Sequence, residues 1–148
     1  MDLSGFSLNI TYKDFTHEML RAFIKYSAKC SQNITYDCYN AKLGLGTHFW
    51  LKSVNSPRYI ETLGTRAARR CECVDTHSCY NASLACNCDS GARTWLRDDG
   101  NFIRPTDIAV TQVYALPPPD LGPESLGRLT LGPLECTDPG KYCCCIAW

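Results

Sequence analysis

The sequence predicts an α+β fold, strand-rich, with one main helix and a loop region stapled by disulfides. Three observations lead there. One segment near the start repeats apolar residues at helical spacing, and several later segments show the alternation or the β-branched and aromatic content of strands. From Thr65 to Gly91 the apolar pattern stops, and five cysteines (Cys71, Cys73, Cys79, Cys86, Cys88) fall within 18 positions.

Leu8 to Tyr12 alternates apolar and polar residues, as a half-buried strand does. Asp14 stands where a cap would start a helix running to about Ala28. Phe15, Met19 and Phe23, with Leu20 and Ile24, recur at i+4 and predict one buried stripe, while His17, Arg21 and Lys25 form the solvated side. Ile34 to Tyr39, Thr47 to Val54 and Arg58 to Leu63 read as three short strands divided by Gly and Asn-Ser-Pro breaks. Asp98-Asp99-Gly100-Asn101 reads as a turn, and Ile108 to Ala115 carries the clearest strand pattern. The run from Pro117 to Pro123 predicts an exposed connector, because proline offers no backbone donor. Leu126 to Cys136 is a last strand-like stretch, and Trp50 and Trp95 read as core aromatics beside strands. No internal repeat is present.

With 148 residues, 45% of them apolar, the chain suits one domain of modest core. Lys+Arg and Asp+Glu both number 15, and this neutral balance argues against a nucleic-acid partner, which calls for a net basic face. No apolar run approaches the roughly 20 residues of a membrane-spanning helix. The start, Met1 to Ser7, lacks the basic and apolar regions of a signal peptide. Cysteine density of this kind belongs to oxidising compartments. The expectation is therefore a piece of a larger exported protein, or a gene model lacking its first exon. Three sequons, at Asn9, Asn33 and Asn81, agree with export and mark candidate glycosylation sites.

The cysteines permit either thiolate–zinc or disulfide chemistry. Structural zinc knuckles usually leave a gap of roughly two to four residues between thiolates. The close pairs here are C-x-C, which favours disulfides and predicts no metal site. A C-x-C pair bridging to itself closes a strained ring, so Cys30, Cys38 and Cys136 are candidate partners for the ladder. Cys30, Cys38, Cys71, Cys73, Cys79, Cys86, Cys88 and Cys136 form an even set whose pairing the sequence leaves open. Cys143, Cys144 and Cys145 remain without an assigned role in a Cys-rich tail, residues 137–148. Cys145 to Trp148 has the outline of a C-a-a-X box, but Trp is not a usual last residue and prenylation is cytosolic. Arg66-Ala67-Ala68-Arg69-Arg70 contains the R-x-x-R pattern of processing sites, read here as a solvated loop beside Cys71.

Catalysis finds no constellation. His17, His48 and His77 lie on a helix face, in a strand and inside the ladder, and no nucleophile elbow, zinc-protease motif or phosphate loop occurs. Asp98 and Asp99 read as turn residues without the spaced oxygens of a calcium loop. No catalytic residue and no cofactor is predicted.

Cys71-x-Cys73-x5-Cys79-x6-Cys86-Asn87-Cys88-Asp89-x5-Trp95-x4-Gly100, followed by Asp107, Val110-Thr111-Gln112-Val113 and Leu131-Gly132-Pro133-Leu134-x-Cys136, resembles the fibrinogen-like region of contactin-associated proteins and neurexin IV. Upstream, Cys30-x-Gln32-x-Ile34-x-Tyr36-x-Cys38 and Phe49-Trp50 fit the same pattern, so the resemblance covers roughly residues 8–136. It implies a fibrinogen C-terminal-like domain over residues 1–136. It also implies a non-enzymatic adhesion or spacer role at cell junctions, with contactin-type partners. The location implied is the outer face of the plasma membrane, as part of a larger glycoprotein, or the secreted state. Ser31 to Cys38 is also similar to fibrillar-collagen C-propeptides, which makes a matrix-assembly domain the alternative. An intracellular zinc protein is a third reading.

Overall fold

A computed structural model describes residues 5–116 and 122–137, and the backbone of strand Cys143–Ile146. The elements are β1 (Phe6–Asn9), α1 (His17–Tyr26), β2 (Lys29–Tyr39), β3 (Phe49–Ser53), α2 (Glu72–Asp75), a 3-10 turn (Asn87–Asp89), β4 (Leu96–Phe102), β5 (Val110–Ala115), β6 (Leu126–Thr137) and β7 (Cys143–Ile146). They form a three-stranded sheet, β1-β5-β3, and a four-stranded sheet, β4-β2-β6-β7, with every strand pair antiparallel. One buried apolar cluster takes residues from both sheets and from α1, among them Leu20, Ile34, Leu51, Phe102 and Leu134.

The helix begins later than expected. Thr16, not Asp14, is the cap: its Oγ1 accepts from Met19 N–H at 3.2 Å, while Asp14 turns the chain at φ 62°. Phe15 consequently lies ahead of the helix, yet it still packs against the core and its ring meets Phe23 at 6.0 Å between centroids. Leu20 and Ile24 are buried, Phe23 packs partly against them, and Met19, about 100° around the helix from Leu20, stays 48% exposed. Arg21 is exposed, yet its Nε donates to the Val54 carbonyl at 3.1 Å and ties α1 to the end of β3.

Strand β2 holds the larger sheet together between β4 and β6. Cys30, Gln32, Ile34 and Cys38 are buried, and Lys29 and Asn33 are exposed. Its pairing with β6 shifts between Gln32 and Ile34, opposite Gly132-Pro133. A bulge there accommodates a proline that has no N–H to give the ladder.

Three further local expectations are overturned. Asp98 to Asn101 is no turn but the middle of β4, paired with Tyr36 to Asn33. Gly100 serves close approach instead: a Cβ there would lie 1.4 Å from the Leu63 carbonyl oxygen, where the 63–64 segment crosses β4. Arg58 to Leu63 is not a strand for the same reason, since it must bend over β4. It keeps one bridge, in which Leu51 and Ile60 exchange hydrogen bonds of 3.0 and 2.8 Å. The first strand is Phe6–Asn9 rather than Leu8 to Tyr12, and all four of its residues are exposed because it is an edge strand.

Tyr12, released from that strand, is buried and joins a polar knot. Its hydroxyl donates to the Val110 carbonyl at 2.8 Å. Gln32, 1% exposed, donates through Nε2 to Tyr12 Oη (2.9 Å) and the Gly132 carbonyl (3.0 Å), and its Oε1 accepts from Val110 N–H (3.0 Å). Every polar atom of the Gln32 amide is thereby satisfied, and β2, β5 and β6 are linked through one side chain. Burial pushes the Tyr12 phenol up to about 12.

The expected boundary at residue 136 falls inside β6. Cys143–Ile146 adds an edge strand to it, with Cys144 opposite Cys136. Pro117 to Leu121 of the predicted connector, the extreme start and the last two residues of the C-a-a-X outline lie outside the described residues; Gly122 and Pro123 are exposed.

Candidate functional site

Four disulfides define the most distinctive region. Cys30–Cys136 joins directly paired positions of β2 and β6. Cys38–Cys88 ties the far end of β2 to the 3-10 turn. Cys71–Cys86 and Cys73–Cys79 close the loop on itself. Each C-x-C pair therefore diverges to two different partners, as ring strain requires. All eight cysteines from Cys30 to Cys136 are consumed within the chain.

The Asn87-Cys88-Asp89 stretch owes its place in the motif to three separate jobs. Asn87 Oδ1 accepts from Tyr80 N–H (2.7 Å) and its Nδ2 donates to the Arg97 carbonyl (2.9 Å). Cys88 carries the cross-link to β2. Asp89 Oδ1 accepts from Gly44 N–H at 2.9 Å. Beneath them Asp98, 3% exposed, accepts from Asn87 N–H (2.9 Å) and Cys88 N–H (2.7 Å) and so caps the 3-10 turn. Burial raises its pKa above the ordinary carboxylate value, and the two backbone donors only partly oppose that. Spacing in the sequence contains no signal for this role, because the contact spans the loop between two elements.

Asp98 also lies near the Cys71–Cys86 bridge. The two sulfurs and a carboxylate oxygen fall within 4.8 Å of one another, the group of potential metal ligands that converges among the described residues. Joined as a disulfide, the sulfurs are not thiolates and offer no strong ligand to zinc.

On the outer face of the larger sheet, Asp37 accepts from Arg97 Nε (2.8 Å) on β4 and Arg128 Nη2 (3.2 Å) on β6, both directly opposite it in register. The hydrogen bond from Arg97 is the main cause holding its carboxyl below the ordinary range.

The three sequon asparagines are exposed on three different segments: Asn9 on β1, Asn33 on β2 and Asn81 in the loop between Cys79 and Cys86. The histidines are likewise dispersed, with His17 on α1 and His77 just beyond α2, both exposed. His48 sits half-buried in a turn ahead of β3, not in the strand expected. Trp95 is no core aromatic: it is 57% exposed and leans on Tyr39 with ring centroids 5.8 Å apart, whereas Trp50 is half-buried on β3. Arg69 adopts φ 60°, and its N–H donates to the Glu61 carbonyl at 2.7 Å. A protease needs an extended segment, so this fixed loop suits the solvated-loop reading of Arg66 to Arg70.

Fold and site together define a class: a strand-rich domain whose irregular half is shaped by disulfides and one buried carboxylate cap. No family model matches the chain. It is similar to Neurexin-4 of Drosophila melanogaster, with 28% identity over 141 residues, covering 89% of this chain and 11% of that protein. Contactin-associated protein 1 of Rattus norvegicus and of Homo sapiens each match at 29% over 109 residues, 70% of this chain and 8% of theirs. The chain thus spans about a tenth of the length of these curated relatives, and the relationship is distant.

Proposed function

We propose that this chain is an extracellular, non-enzymatic adhesion module of fibrinogen-like type, acting as one interaction or spacer unit of a larger cell-surface glycoprotein. The observation that carries the reading is the closure of all eight cysteines from Cys30 to Cys136 within one chain, which suits an oxidising compartment. Similarity to Neurexin-4 and Contactin-associated protein 1 across most of the chain supports the adhesion class. The second relative's name records association with contactin, so a contactin-type ectodomain is the partner proposed. Residues 1–136 would form the domain, with N-glycans at Asn9, Asn33 and Asn81, each of which has the exposure that attachment needs. A matrix-assembly domain resembling collagen propeptides requires cysteines that link chains, and none of these eight is left to do so.

The test is secretion of the chain from a eukaryotic host. Monomeric migration without reductant, a downward shift on enzymatic deglycosylation and saturable binding to a contactin-type ectodomain, lost on reduction, are expected. Disulfide-linked ladders would transfer the reading to matrix assembly. Stoichiometric zinc with eight titratable thiols would sink both.

A further inference from the structure

Away from the stapled loop, the segment after β3 folds back against residues 104–107 and leaves an open cleft of about 550 Å3. Three guanidinium groups line it: Arg58, Arg66 and Arg104. The two carboxylates in its wall are both taken. Asp107 accepts from Arg104 Nε at 2.6 Å, and Glu61 accepts from Arg69 Nε at 2.9 Å. Arg58 and Arg66 have no ion-pair partner among the described residues. Four arginines against two acids give this region a surplus of positive charge, on a chain whose net charge is zero.

The cleft also presents an aromatic surface held in place. Tyr59 is 51% exposed; its ring stands perpendicular to that of Tyr114, with centroids 5.3 Å apart, while Lys52 Nζ lies 5.1 Å from its centre. Thr62 lines the floor; its Oγ1 accepts from Gly64 N–H and keeps its own proton free to donate.

We propose that this cleft binds an anionic sugar: Arg58 and Arg66 take its carboxylate or sulfate, and the Tyr59 ring packs on the apolar face of the pyranose. Guanidinium forks match the planar oxygens of such anions, and a cleft of this size suits a small ligand rather than a flat protein surface. An acidic peptide would use the cations alone and leave the clamped ring without a purpose. The inference goes beyond the adhesion role and stands without it.

The experiment titrates the disulfide-intact full chain with a heparin-derived tetrasaccharide, sialyllactose, neutral lactose and a hexaglutamate peptide. At least one acidic sugar binds and lactose does not; binding of sialyllactose, which has a carboxylate and no sulfate, shows that a carboxylate suffices, and binding of the heparin fragment alone shows that it does not. The double variant Arg58→Ala/Arg66→Ala weakens binding at least about tenfold, Tyr59→Ala also weakens it, and Lys25→Ala on α1 leaves it unchanged. Should the double variant not be secreted, Arg66→Gln alone, at an exposed side chain without an ion pair, carries the comparison. Failure of both acidic sugars to bind, binding unchanged in the arginine variants, or hexaglutamate binding as tightly as the sugars would each overturn the proposal.

Discussion

Asp37 and Asp98 sit on the directly paired strands β2 and β4, one register position apart, and their environments drive them in opposite directions. Asp37 is flanked by two guanidinium groups, so its charged form is favoured in the folded state. Its stabilisation is complete above the ordinary carboxylate value of 3.8 and is lost as pH falls through its lowered native value. Asp37→Asn should therefore cost most near neutrality, about 1 kcal/mol or less because both arginines are largely solvated, and the gap from the parent should close in acid. Asp98 is the reverse case: burial penalises its charge, and the native state takes up a proton above 3.8. That cost is present at neutral pH and is relieved as pH falls through the raised value. The parent should gain on Asp98→Asn between neutrality and 3.8, then run parallel to it. Urea midpoints measured from about pH 3 to 7 test both; parallel curves throughout for either variant would contradict the assigned environment.

At the scale of the element, β4 and the cross-links make separable predictions. Gly100→Ala places a carbon on the Leu63 carbonyl, and backbone on both sides must move, so a loss of about 3 kcal/mol or more is expected in chemical denaturation. Ordinary stability in that variant would mean the 63–64 segment does not cross β4 there. Cys30–Cys136 and Cys73–Cys79 close loops of very different length, with sequence separations of 106 and 6. If restriction of the unfolded chain dominates, Cys30→Ser/Cys136→Ser costs about 4–5 kcal/mol and Cys73→Ser/Cys79→Ser clearly less. Equal losses would show that local geometry outweighs chain entropy. The same elements show what local pattern reveals. β5 and β6 were legible from alternation because their signal is carried by neighbouring residues. β4 was not, since Asp-Asp-Gly-Asn has turn chemistry, and only tertiary contacts explain why Asp98 is buried under the 3-10 turn and why Gly100 is required where the 63–64 segment crosses.

Over the whole molecule, one amide joins three strands drawn from two sheets. Gln32→Leu preserves the volume but strands the Val110 N–H and the Gly132 carbonyl, each left without its side-chain partner. A loss of about 2–4 kcal/mol is expected from such orphaned buried groups, and Tyr12→Phe, which leaves the Gln32 bonds to the Val110 N–H and the Gly132 carbonyl in place, should lose less. Differential scanning calorimetry of the two variants decides between this and a purely apolar core, in which Gln32→Leu would raise Tm. The disulfides act at the same scale. In the native chain, the eight cysteines from Cys30 to Cys136 should resist alkylation until a reductant is supplied.

Composition, local periodicity and cysteine density, which are properties of the chain itself, sufficed for the strand-rich α+β class, the neutral charge and the cross-linked loop. Helical and strand periods located α1, β2, β3, β5 and β6 to within a few residues, because those periods arise from neighbours along the backbone. Tertiary structure alone decided which cysteine meets which, that Met19 and Trp95 face outward, that Asp98 caps a turn, and that Arg58 and Arg66 meet no acid among the described residues. Each of those outcomes depends on register between segments tens of residues apart, and no local pattern encodes a distance that only the folded chain creates.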